Sequence, residues 1–371
     1  MDESKRELLR NIGIVSTSLM LGNKLIANDY IEDDGRLINY RDTTSTLNGN
    51  SLVIKDIVNL RPLKITPKGL IKGSKIAFTS PASSTSMGEI ASTVNFYKKM
   101  GCEVVIGDTI KLQKNNYRYF SAPDKQRAEE FMKYIEDKTI SAIVCGRGGY
   151  GSGRILQHLN FDIIKNNPKI IIGFSDITIL LLAISKLTGL VTYHGPVASV
   201  KLNNFTISNL LNSIFYKEKF DDIKLSDIKI MNDGIVEGEI IGGNLTMIIS
   251  SMGTPYEIDT KNKILFIEDV SVNAYEIDRM LTQLYNANKL QESHAIVFNG
   301  FKNINTRRPF YPNKGYSIKE VIEQIVKPLG KPLIYDFEFG HESNMVTLPI
   351  GINIRLDLNK KLLSFLERPT T

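Results

Sequence analysis

From Lys75 onward the apolar positions fall into two alternating textures. Short apolar runs, "KIAFT", "CEVVIG", "TISAIVC" and "KIIIGFSD", have the length and β-branched content of buried strands. Between them, residues 88–100 and Ala122–Glu136 carry apolar side chains at helical spacing, with Pro123 near the start of the second. A further helix follows the glycine-rich "GRGGYG", and "ITILLLAISKL" continues directly from its strand as a helix. Strands alternating with helices predict an open, mostly parallel, flavodoxin- or Rossmann-like sheet over residues 68–200. Residues 201–234 are rich in Asn, Lys and Asp and read as a connector. From 235 to 371 short strands dominate, "IVEGEIIGG", "KILFIEDV", "HAIVFNG" and "KPLIYDFEFG", with one helix at Ala274–Leu284. The expected class is α/β: a parallel-sheet domain and a mixed, β-rich domain, with the active site in the cleft between them.

The first residues differ in texture. Residues 1–30 have a basic start, "SKRELLR", and then an uncharged stretch from Asn11 to Asn23. The start resembles a twin-arginine export motif with Lys5 in place of the first arginine, and residues 31–67 read as a polar tether. The expectation is a signal segment and a periplasmic location; the alternative is a frayed amphipathic helix on a cytoplasmic protein. No uncharged apolar stretch reaches the roughly 18 residues of a membrane span, so no integral membrane segment is expected.

Composition narrows the function classes. With 42% hydrophobic and 23% charged residues, the chain of 371 residues is an ordinary globular one. Its net charge of +6 is spread thinly, in doublets such as Lys98-Lys99, which argues against a nucleic-acid partner. Cys102 and Cys145 lie in or beside strands without a metal-ligand spacing, so both read as buried structural thiols, and no metal is expected.

Two glycine turns carry the candidate chemistry. Gly146-x-Gly148-x-x-Gly151 follows a strand and has the spacing of a dinucleotide fingerprint. The same strand, turn and helix start can equally supply an oxyanion hole or line a peptide cleft. In "IIIGFSDIT" Ser175 sits where strand becomes helix, which presents a hydroxyl at the carboxyl edge of the sheet before a helix N-terminus. Ser175 or Asp176 can also be read as a simple helix cap. A nucleophilic serine needs a base and an orienting acid. Of the four histidines, His158 and His294 read as structural, and His194 in "TYHGP" ends a strand that could line the cleft. His341 follows Gly340, which lets its ring project from a tight turn, and Glu268 closes the strand "KILFIED". Ser, Glu, His is a chain order used by hydrolases with a strand–turn–helix nucleophile.

The motifs "GRGGYG", "GFSDIT", "YHGP", "GGNL", "IEDV...YEIDRMLTQL" and "FGH....LPIG" occur in that order. Together they resemble the LD-carboxypeptidases, serine peptidases that trim peptidoglycan peptides, over about residues 68–358. The resemblance implies Ser175 as nucleophile, His341 as base and Glu268 as the acid. Backbone amides of Gly148, Gly149 and Asp176 are the implied oxyanion donors. Arg147, Tyr150 and His194 are candidates for substrate contact, Arg147 for a terminal carboxylate. The resemblance implies a peptidoglycan-derived peptide as substrate, a homodimer and no cofactor. One departure is that Val272 and Asn273 stand where family members often carry an acidic residue before the tyrosine of "YEIDRML". The family's self-immunity branch, which cleaves peptide–nucleotide antibiotics, is a second reading. The chain has no tryptophan to anchor an adenine. A dinucleotide-binding protein built on Gly146-x-Gly148-x-x-Gly151 is the reading from another class.

Overall fold

The computed structural model describes residues 62–111, 119–301 and 315–371, together with four short strands at Ile14–Val15, Tyr30–Glu32, Arg36–Ile38 and Leu60–Pro62 that pair antiparallel. The export motif at Lys5 and Arg6 lies outside the described residues. The first α/β unit runs β1 (Lys75–Thr79), α1 (Met87–Lys99), β2 (Glu103–Ile106), α2 (Asp124–Glu136), β3 (Ile140–Cys145), α3 (Phe161–Asn166), β4 (Ile170–Gly173), α4 (Thr178–Thr188) and β5 (Thr192–His194). Two of its helices, α1 and α3, start at side-chain caps, Ser86 and Asn160. Ser86 accepts from the Glu89 amide while the Glu89 carboxylate accepts from the Ser86 amide, a reciprocal pair that opens α1.

The segment read as a connector is structured. It holds helix α5 (Asn204–Ile214), capped by the Asn203 side chain, and two short strands, β6 (Ile223–Lys224) and β7 (Lys229–Asn232). Its polar composition hid them because both strands sit at sheet edges, where one side of each faces water. The second unit then runs β8 (Ile235–Asn244), α6 (Leu245–Ser251), β9 (Lys263–Glu268), α7 (Ala274–Asn286), β10 (Ala295–Phe298), α8 (Ile318–Ile325), β11 (Leu333–Tyr335), β12 (Leu348–Ile350), β13 (Asn353–Asp357) and β14 (Leu362–Phe365).

Two sheets result. The first has the order β12-β5-β4-β3-β1-β2 and is parallel except for β12. The second has the order β6-β14-β13-β8-β9-β10-β11-β7, with a parallel centre β8-β9-β10-β11 and antiparallel flanks. The architecture is therefore the expected α/β pair of a mostly parallel and a mixed sheet. The chain crosses back once: β12, seven residues beyond His341, pairs with β5 of the first sheet, Leu348 opposite His194. The carboxyl ends of β4, β5 and β9 carry Gly173, His194 and Glu268. Parallel strands open their ligand crevices at this edge.

Candidate active site

The nucleophile turn is strained. Ser175 adopts φ 63°, a left-handed conformation that costs a non-glycine residue about 1–2 kcal/mol. Such strain persists only where the surroundings over-determine it. Here they do: the Ile177 amide donates to the Phe174 carbonyl at 3.3 Å, and the Ser152 hydroxyl donates to the Asp176 carbonyl at 2.6 Å. The Ser152 amide also donates to the Asp176 carboxylate at 2.8 Å. Neither Ser175 nor Asp176 caps its own helix with its side chain, so the simple capping explanation fails.

That clasp also removes the dinucleotide reading. The fingerprint requires a pyrophosphate at the amides of the helix that follows the glycines. In this chain that helix, Ser152–Ile155, has four residues, and its first amide is already bound to the buried Asp176 carboxylate. The anion at the turn is the protein's own. The glycines serve close approach instead: a Cβ on Gly148 would lie 2.8 Å from Ser175 Cβ and 3.1 Å from its Oγ. The loop is pinned by the Ser83 amide donating to Gly148 O at 3.2 Å and the Tyr150 amide donating to Ser83 Oγ at 3.0 Å. Buried Arg127 donates to Gly151 O at 2.8 Å and also to Pro81 O. Among the described residues the Gly148 and Gly149 amides have no backbone acceptor.

The base and acid come from the second sheet. His341 Nδ1 stands 2.6 Å from Glu268 Oε2, and the His341 amide lies 3.4 Å from the same oxygen. Glu268 is fully buried at the end of β9, whereas His341 keeps partial access to solvent. Gly340 at φ +70° makes the turn that brings the ring back over the carboxylate. Burial is the largest influence on both groups and disfavours both charges, but their mutual attraction and hydrogen bond outweigh it. The carboxyl is held below the usual glutamate range and the imidazole above the usual histidine range. The His341 ring packs edge-on against Phe174, centroids 4.8 Å apart, which sets it beside the residue preceding Ser175. The Ser175 hydroxyl and His341 are not hydrogen-bonded to each other, and such bonds commonly tighten only around substrate. Because His341 must be neutral to accept a proton, kcat/KM is expected to rise with pH along a limb above the usual histidine range. Glu268→Gln, which removes the charge that raises it, should move that limb down; a pH–rate profile of both proteins checks this.

Three substrate candidates are placed differently. His194 does not line an open cleft, a correction to the sequence reading: it is 1% exposed, packed between the rings of Phe174 and Phe339. Gly243 at the end of β8 closes in from the second sheet, leaving no room for a substrate beside the ring. Arg147 is half-exposed and lies 3.4 Å from Glu89, a solvent-screened pair of little energetic weight. Tyr150 is exposed and packs at a tilt against the rings of Tyr119 and Phe120 beside the glycine loop. Cys102 and Cys145 are buried free thiols, as read from their strands.

Several residues that hold the site were not singled out in the sequence. Asp269, buried beside Glu268, accepts from the Thr246 amide and hydroxyl and from the Asn244 side chain. Thr178 Oγ accepts from the Asn244 amide at 3.1 Å, tying the nucleophile's helix to the end of β8. "GGNL" and "IEDV" contained Asn244 and Asp269, but only the sheet pairing of Asn244 with Glu268 shows what they support.

Comparison with known proteins identifies relatives of the whole two-sheet unit. Residues 76–195 match the model of the LD-carboxypeptidase N-terminal domain, and residues 237–356 that of the LD-carboxypeptidase C-terminal domain. The chain is 35% identical over 305 residues to the probable murein peptide carboxypeptidase of Bacillus subtilis, covering 81% of this chain and 93% of that one. It is 29% identical over 351 residues to the microcin C7 self-immunity protein MccF of Escherichia coli, covering 84% and 98%. Among solved structures, the muramoyltetrapeptide carboxypeptidase of Oxalobacter formigenes superposes with a TM-score of 0.70 at 27% identity, over 80% of this chain and 100% of that one. MccF in complex with glutamyl sulfamoyl guanosine gives 0.74 at 24% identity, over 82% and 99%.

Proposed function

The chain belongs to the LD-carboxypeptidase family, and from that premise we propose that it is a serine LD-carboxypeptidase releasing the terminal D-amino acid of peptidoglycan stem tetrapeptides. The observation that carries the reading is the 2.6 Å His341–Glu268 pair set beside a serine held at positive φ. In this mechanism Ser175 Oγ attacks the carbonyl carbon of the bond before the D-residue, and His341 accepts the hydroxyl proton. Glu268 holds the ring through Nδ1 and stabilises the imidazolium. The amides of Gly148, Gly149 and Asp176 receive the developing oxyanion. His341 then protonates the leaving amine, and water hydrolyses the acyl-enzyme by the same steps in reverse order.

Incubation with tri-, tetra- and pentapeptide stems, with products weighed by mass spectrometry, tests the substrate. Loss of one D-residue from the tetrapeptide, with all-L peptides intact, is the expected result. Cleavage of a peptidyl-adenylate with the tetrapeptide untouched would favour the immunity reading instead. Arg147 is assigned to the substrate's terminal carboxylate, so Arg147→Gln should raise KM by about tenfold or more at nearly constant kcat. An unchanged KM removes that assignment.

Export is part of the same proposal, since stem peptides are accessible outside the inner membrane. The full-length protein should appear there on cell fractionation, and Lys5→Gln with Arg6→Gln should retain it in the cytosol. Recovery of the unaltered protein wholly from the cytosol would leave a cytoplasmic recycling enzyme.

A further inference from the structure

The buried histidine at the end of β5 has a partner waiting. His194 Nε2 stands 3.9 Å from Glu268 Oε1, the carboxylate oxygen that His341 does not use. Neither ring nitrogen of His194, nor that oxygen, has a hydrogen-bond partner among the described residues. All three atoms are buried, where an unmade hydrogen bond carries the full desolvation cost of each group. A gap of 3.9 Å is too long for a hydrogen bond and too short to admit a bridging water, for which about 5 Å is needed.

The two groups belong to different sheets. His194 ends β5 of the first, beside the nucleophile's strand, and Glu268 ends β9 of the second. A shift of about 1 Å of one sheet end toward the other brings the pair to bonding distance. The loop carrying His341 is attached to the same place, since β12 seats Leu348 opposite His194. We propose that His194 is a positioning residue of the triad: it donates its Nε2 proton to Glu268 Oε1 when the two sheets close on substrate. Glu268 is then held by an imidazole on each oxygen, His341 on one and His194 on the other. The carboxylate can no longer swing, and the His341 ring is fixed in its base orientation.

Donation requires a neutral His194 with its proton on Nε2. Burial supports this by pushing the group down to about 4, against the attraction of Glu268 and with the repulsion of His341. Those two are the ionisable groups that act on it; Phe174, Phe339 and Gly243 make the remaining wall. A second imidazolium here would compete with His341 for the same carboxylate.

This inference rests on the Ser175–His341–Glu268 reading, so its test must not depend on turnover alone. The full chain has four histidines, and ¹⁵N-histidine labelling resolves their imidazoles by NMR. In the unaltered protein His194 should remain neutral between about pH 5 and 9 with its proton on Nε2; titration within that window, or a proton on Nδ1, overturns the proposal. With the tripeptide product bound, Glu268 of His194→Phe lacks one donor and concentrates its charge on His341, so the His341 titration of that complex should move upward relative to the unaltered protein. The acid limb of kcat, which reports the substrate complex, should move with it, and kcat should fall roughly tenfold, about the worth of one hydrogen bond. His194→Asn, which retains a donor, should restore part of both shifts and also serves if the phenylalanine variant folds poorly. A His341 titration identical in all three product-bound proteins, with changes only in melting temperature, would reduce His194 to packing. Failure of the triad reading itself would appear separately, as full activity in Ser175→Ala.

Discussion

Ser175→Ala should abolish turnover, with kcat falling by roughly 10⁴- to 10⁶-fold, the range seen when a serine nucleophile is removed. Its fold should be intact, because the side chain is small and only partly buried and its loss opens no core cavity. The backbone strain supplies an internal control. Alanine at φ 63° keeps the left-handed penalty, whereas glycine does not. Ser175→Gly should therefore be equally inactive but more stable than Ser175→Ala by about 1 kcal/mol, read from denaturant midpoints. His341→Ala should match the loss in kcat. Glu268→Gln should be milder, because the acid orients and stabilises without itself moving the proton. Turnover of the tetrapeptide by Ser175→Ala at the normal rate would remove the serine mechanism altogether.

The strands and helices of the first sheet were legible because their periodicity and their glycine punctuation agree. "TISAIVC" and "KIIIGFSD" are apolar on both faces, as central parallel strands must be, and both fall where expected. Ser175, Glu268 and His341 were legible as positions, since each ends or follows a strand at a turn. Their mutual geometry was not, because it is set by how two sheets meet. Periodicity within one strand says nothing of this. Residues 201–234 show the other limit. The helix Asn204–Ile214 interleaves its apolar residues with three Asn and two Ser, and the edge strands are short and half polar, so the segment's composition looks like that of a loop. His194 failed for a third reason. A histidine at a parallel strand's end suggests the crevice, but Phe339 and Gly243, contributed by the second half of the chain, close over its ring. The dinucleotide fingerprint failed through Asp176, which satisfies the amide that a phosphate would need. Spacing alone does not reveal that the anion is already present.

The turn at Gly340 gives the second large effect. Its φ of +70° disfavours any side chain, and a Cβ there would lie 2.6 Å from both Cδ and Oε2 of Glu268. That carboxylate is fully buried and cannot swing into solvent to make room. Gly340→Ala must therefore push Glu268 away from His341 Nδ1 or lift the turn that carries His341. Either outcome breaks the 2.6 Å pair. We expect kcat/KM to fall at least as far as in Glu268→Gln, and stability to drop by about 2–5 kcal/mol from overpacking and left-handed strain together. Gly330→Ala separates the two causes, because Gly330 has nearly the same φ, +68°, with nothing within 4 Å of its would-be Cβ. That variant should cost only about 1 kcal/mol and leave activity unchanged. If the clash with Glu268 causes most of the loss, shortening the acid should relieve it. Gly340→Ala combined with Glu268→Asp should then be more stable than Gly340→Ala alone, a coupling of the sign expected for two groups competing for one volume. Additive losses in that double-mutant cycle would place the cost in the backbone of the turn and leave the carboxylate undisturbed.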